Sequence, residues 1–77
     1  MRINYFAAAR AAAGVSEEEV GQYPTLELLL ADASSNHPAL QPILPRCSFL
    51  VDGLRAEPSA SLEGAARVDV LPPFAGG

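Results

Sequence analysis

Pro24-Thr25-Leu26-Glu27-Leu28-Leu29-Leu30-Ala31-Asp32-Ala33 is the one stretch of this chain that commits firmly to a helix. Leu26, Leu29, Leu30 and Ala33 fall at i, i+3, i+4 and i+7, which makes a single apolar face. Thr25 can cap the free amides of the first turn, and Glu27 stands where the helix dipole favours negative charge. The pattern weakens at Ser34-Ser35-Asn36, and Pro38 biases His37 away from helical geometry. The helix is therefore expected near Thr25–Ser34, with one face that needs a sheet to cover it.

Strand signals lie on both sides. Before the helix, Arg2 to Phe6 reads as a first strand with Ile3 and Tyr5 on one face, and Val15 to Tyr23 holds a second around Glu18-Glu19-Val20. Ala7 to Ala13 favours a helical turn, but seven residues are too few to hold a helix without tertiary contacts. After the helix, Ala39 to Leu44 suits one more short turn, and Ser48-Phe49-Leu50-Val51 is a compact strand. Asp52-Gly53 marks a two-residue hairpin that returns Leu54-Arg55-Ala56 antiparallel. In the loop from Pro58 to Gly64, Leu62 is the only large apolar residue and is expected to tuck into the core. Arg67-Val68-Asp69-Val70-Leu71 alternates as the last strand. Pro72 and Pro73 cannot donate to a ladder, so the sheet must end there. Strand, strand, helix, strand, short strand, strand gives an α+β fold: a mixed sheet with one main helix packed on one face, the arrangement of the ubiquitin-like β-grasp.

Composition narrows the function classes. Seventy-seven residues make one expected domain, 1–77, near the lower limit for a core that folds unaided. Of the 38 hydrophobic residues 14 are alanine, so little is left to enclose a substrate cavity of the usual ~300–1,000 Å³. Net charge is −4, with five arginines and no lysine. Nucleic-acid binding needs a basic footprint, and this balance argues against it, favouring instead a basic partner surface. Cys47 has no partner for an internal disulfide. The chain shows neither a signal-peptide pattern nor an apolar run of the ~20 residues a membrane span requires, so a cytoplasmic setting is expected. The three glutamates 17–19 read as a solvated edge rather than a metal site. His37 is a lone histidine without metal-ligand spacing, and Cys47 reads as a small hydrophobe despite Arg46 beside it.

The unusual reactive group is at the end of the chain. Pro72-Pro73-Phe74-Ala75-Gly76-Gly77 follows the last strand directly. Taken alone, it could be a frayed terminus. Yet glycine lacks a Cβ, so a Gly-Gly end can lie extended in a channel too narrow for side chains, carrying an α-carboxylate that is ionised at neutral pH. A carboxylate on a thin stalk, here residues 72–77, suits adenylation by another enzyme.

Phe6-Ala7-Ala8-Ala9-Arg10 followed by Gly14, then Pro24-Thr25-Leu26, Leu62-Glu63-Gly64 before Val68, and the Pro-Pro-x-x-Gly-Gly end resemble the MoaD branch of the MoaD/ThiS sulfur carriers. The likeness runs from Arg2 to Gly77, and it departs from the family pattern in two places. Glu63-Gly64-Ala65-Ala66-Arg67-Val68 keeps the turn glycine of an acid-rich stretch but loses much of its charge, and Asp52 replaces a common asparagine.

The resemblance implies the small subunit of a molybdopterin synthase heterotetramer. Gly77 would be adenylated by an E1-like activating enzyme that uses ATP, then thiocarboxylated with sulfur from a donor enzyme. Its sulfur would pass to cyclic pyranopterin monophosphate in the large subunit. No cofactor is expected on this chain, and no side chain of its own need be catalytic. The implied surface toward the large subunit is Phe6, Arg55, Leu71 and Phe74, with Gly76, Ala75, Pro73 and Pro72 completing the inserted tail. Carriers for thiamine thiazole or cysteine synthesis differ only in acceptor, and a ubiquitin-like modifier would use the same tail for an amide bond. A chain that ends at Gly77 without an extension to remove favours the carriers.

Overall fold

A computed structural model describes residues 1–73. The elements run β1 (Arg2–Tyr5), α1 (Ala7–Ala13), β2 (Glu17–Glu19), α2 (Leu26–Asn36), two 3₁₀ turns (Pro38–Leu40 and Leu44–Arg46), β3 (Ser48–Val51), β4 (Leu54–Ala56) and β5 (Arg67–Leu71). The five strands form one sheet in the order β2-β1-β5-β3-β4. β1 and β5 run parallel, in register from Arg2↔Arg67 to Tyr5↔Val70, and every other pair is antiparallel.

α2 forms where the leucine spacing places it. Thr25 accepts the Leu28 N–H at 3.4 Å as the N-cap, and Leu26, Leu29, Leu30 and Ala33 are all buried while Leu28 stays half exposed. The helix runs two residues past the expected end, to Asn36, and stops at His37, whose extended φ of −129° suits the residue before a proline. Its apolar face meets Ile3, Tyr5, Phe49, Val68 and Val70 from the sheet. Leu62 is fully buried among them. Its loop is held by the Leu62 N–H donating to Pro24 O at 3.0 Å and by a Thr25↔Ser61 bridge.

The alanine run becomes a complete helix, α1, because tertiary contacts supply what its length does not. Ala9 and Ala13 are buried in the core, Leu40 packs beneath, and Gly14 closes the helix at φ 78° with its N–H donating to Arg10 O. At the hairpin, Asp52 and Gly53 take φ of 49° and 85°, the two positive values a type I′ turn requires.

One sequence expectation needs correction. The glutamates are not uniformly solvated. Glu17 and Glu19 are exposed, but Glu18 accepts a hydrogen bond from the Tyr5 hydroxyl at 2.7 Å and from His37 Nε2 at 2.9 Å. This cluster ties β1, β2 and the end of α2 together, with the Tyr5 and His37 rings edge to face at 6.0 Å. On the sheet face opposite α2, Asp69 is only 7% exposed. It lies on the central strand between Asn4 and Leu50, accepts from Asn4 Nδ2 at 2.9 Å and pairs with Arg67 Nε at 3.4 Å.

These contacts set two expected outcomes. Leu62→Ala removes a fully buried side chain and is expected to cost about 2–5 kcal/mol in urea unfolding. Leu54→Ala, at a side chain 75% exposed, should shift dilute-solution stability by less than about 0.5 kcal/mol. Burial, then the bond to Glu18, raises the Tyr5 pKa well above its usual 10.0. The fold thus holds the Tyr5 proton more tightly than the unfolded chain does. Its contribution is complete below the unfolded value near pH 10 and is lost as pH rises beyond it. Tyr5→Phe should therefore lower stability at neutral pH and flatten the alkaline decline in a pH series of denaturant melts.

Candidate functional site at the root of the C-terminal tail

The last described residues leave the sheet at its centre. β5 pairs with β1 on one side and β3 on the other, and its final partner is Ser48, opposite Leu71. Pro72 is buried and Pro73 exposed. Neither has an N–H to extend the ladder, so the chain departs at the C-terminal ends of β1 and β5. Phe74, Ala75, Gly76 and Gly77 lie outside the described residues.

Register brings part of the expected partner surface together. The Phe6 N–H donates to Val70 O at 3.2 Å, which places Phe6 one step beyond the Tyr5↔Val70 pair and beside Leu71. Alternation sets both on the sheet face opposite α2. Phe6 is 42% exposed and Leu71 partly buried. Arg55 shares that face, but it stands opposite Leu50, which in turn stands opposite Asp69. It is therefore two strands from β5, about 10 Å across the sheet. Phe6 and Leu71 form one patch, and Arg55 lies apart from it on the edge.

A shallow cleft of about 410 Å³ adjoins the root, lined by Ala8, Pro42, Ile43, Arg46, Pro72 and Pro73. The sequence did not single out Arg46 here. It arrives because the second 3₁₀ turn ends immediately before β3, the strand that pairs with β5. Ala7, which joins β1 to α1, holds φ 49°, a left-handed conformation costing an alanine on the order of 1 kcal/mol. This turn sends α1 back along the sheet and leaves Phe6 at the surface.

The Cys47 thiol near the root is not activated for chemistry. Burial pushes the Cys47 thiol up rather than down, and its Sγ is directed to Ile43 O at 3.4 Å. Asp52, the departure at the hairpin, has a structural task. Its carboxylate accepts the Ala66 N–H at 3.0 Å and the Arg67 N–H at 2.9 Å, fixing the loop that leads into β5. Among the described residues no group of three His, Cys, Asp or Glu side chains could hold a metal, and no helix is long and apolar enough to cross a membrane.

Comparison with known proteins agrees with this geometry. The model of the ThiS family matches residues 3–77. The chain belongs to the ThiS family. It is 33% identical over 81 residues to the molybdopterin synthase sulfur carrier subunit of Chlamydomonas reinhardtii, covering 100% of this chain and 98% of that one. SAMP1 from Haloferax volcanii superposes with a TM-score of 0.81 at 22% identity, over 100% of this chain and 98% of that one. A molybdopterin converting factor subunit 1 from Pyrococcus furiosus, so described provisionally, gives 0.80 at 23%, over 95% of each. The fold is the ubiquitin-like β-grasp expected from the order of strands.

The raised Cys47 pKa has a direct readout. Less thiolate at neutral pH means slower alkylation, so iodoacetamide should modify Cys47 in the folded protein several-fold more slowly than in urea, followed by mass spectrometry.

Proposed function

We propose that this chain is the sulfur carrier subunit of a molybdopterin synthase. The observation that carries the reading is its end-to-end likeness, at 33% identity, to a protein of that description. The tail root supports it. A carrier needs its reacting carbon held away from the fold, and here a rigid Pro72-Pro73 step follows the central strand directly.

In this reading Gly77 is the reacting residue. Its carboxylate attacks the α-phosphorus of ATP within an activating enzyme, expelling pyrophosphate and forming an acyl-adenylate. Sulfur delivered at the oxidation level of hydrosulfide by a donor enzyme displaces AMP and leaves a C-terminal thiocarboxylate. The thiocarboxylate then gives its sulfur to cyclic pyranopterin monophosphate in the large subunit, and hydrolysis returns the carboxylate. Two loaded carriers serve each dithiolene. Phe6 and Leu71, with Phe74 beyond them, form the apolar contact with the large subunit. Arg55 contributes at its margin, and Ala75-Gly76 pass through the channel. Pro72 and Pro73 reduce the chain entropy lost when the tail is ordered in a partner. The likeness to the archaeal modifier, at 22% identity, extends to the fold alone, so amide conjugation has no comparable support.

Intact mass supplies the test. After incubation with activating enzyme, ATP and sulfur donor, the chain should gain about 16 Da, sulfur replacing oxygen with the negative charge retained. Deleting Gly77 should abolish the gain and all molybdopterin formation without changing the melting curve, since terminal residues beyond the last strand add little packing. Gly76→Val should block transfer by adding a branched side chain where the channel admits none. Full transfer from a chain ending at Ala75 would overturn the reading.

A further inference from the structure

The edge strand β4 is open, and its sequence is complementary to itself. In the two-residue hairpin the Val51↔Leu54 pair closes the turn, so Leu54 and Ala56 direct their backbone groups to β3 and Arg55 directs its own outward. Among the described residues the Arg55 N–H and C=O and the Glu57 N–H enter no backbone bond outside the ladders, while Glu57 O accepts the Ala60 N–H at 2.9 Å and keeps a second lone pair. Arg55 and Glu57 are both exposed, and neither has an ion-pair partner among the described residues. Leu54 is 75% exposed, the most exposed large apolar side chain described. A groove of about 400 Å³ between α2 and this edge leaves the approach clear.

We propose that β4 is a self-association site at which two copies of the chain pair antiparallel about a two-fold axis through Ala56. In that register the Arg55 of each copy lies opposite the Glu57 of the other as a hydrogen-bonded pair, twice by symmetry. Both residues project from the same sheet face, so the guanidinium of each copy meets the carboxylate of its partner. Leu54 is set against the Pro58 of the second copy and loses much of its exposure. Shifting the axis to Arg55 would oppose two arginines, so charge selects the register. Three or four residues of strand bury far less than the ~1,200–2,000 Å² of a permanent interface. The dimer is therefore weak, forming toward millimolar concentration.

Sedimentation velocity of the full chain across micromolar to millimolar concentrations tests this, with amide NMR shifts locating the contact. The expected result is concentration-dependent dimerisation with shifts centred on Arg55 to Glu57. Arg55→Glu turns both attractive pairs repulsive and should raise the dissociation constant roughly tenfold or more. The double variant Arg55→Glu/Glu57→Arg restores complementarity and should recover dimerisation. Mixing Arg55→Glu with Glu57→Arg chains should give heterodimers that neither forms alone. Circular dichroism melts confirm that each variant folds. A wild-type chain that stays monomeric at millimolar concentration, or a dimer indifferent to Arg55→Glu, overturns the proposal.

Discussion

The structure depends on the parallel pairing of β1 with β5. These strands lie at opposite ends of the sequence, yet Ile3 faces Val68 and Tyr5 faces Val70 across one ladder at the middle of the sheet. A parallel pair needs a crossover connection, and the whole of α2 with its flanking turns lies within that crossover. The same pairing brings the Phe6 end of β1 beside the Leu71–Pro72 end of β5. The apolar patch and the root of the tail are thus adjacent because of one register, not because of any local motif.

Polar contacts secure that register where the core alone would leave it loose. Asn4 and Asp69 are bonded across the open face between the two strands. Glu18 gathers Tyr5 and His37 at the other edge, and Asp52 binds the amides of Ala66 and Arg67 at the start of β5. Asp69 is largely buried and Glu18 partly so, whereas Asp52 is exposed, and among the described residues no buried side-chain polar atom lacks a partner. An acid left unpaired at such a site would cost more than its bonds contribute.

Most of the fold was legible in the sequence because its signals were local. Leucine spacing, the Thr25 cap, the Asp52-Gly53 turn and the proline stop after Leu71 each name their own conformation. What the sequence withheld was decided by neighbours distant along the chain. Alternation places Asp69 outward but does not show that strands on both sides will cover it. Three consecutive glutamates look alike until the fold sets Tyr5 and His37 around the middle one. The alanine run looked too short to be a helix because the surface that supports it comes from residues beyond Pro38. At the candidate site, Pro72 and Pro73 announced the departure of the tail, whereas Arg46 reached its root only through tertiary structure.

The central strand is also the last to be made. Before β5 exists, the chain can offer a β1–β2 hairpin and a β3–β4 hairpin, and neither touches the other within the sheet. Folding therefore waits on a single long-range insertion, a topology that slows the search and penalises partial structures. The residues that complete the sheet stand directly before the tail. A molecule that has not closed its sheet lacks the Phe6–Leu71 patch and the fixed proline exit, so the surface around the root of the tail exists only once the rest of the protein has folded.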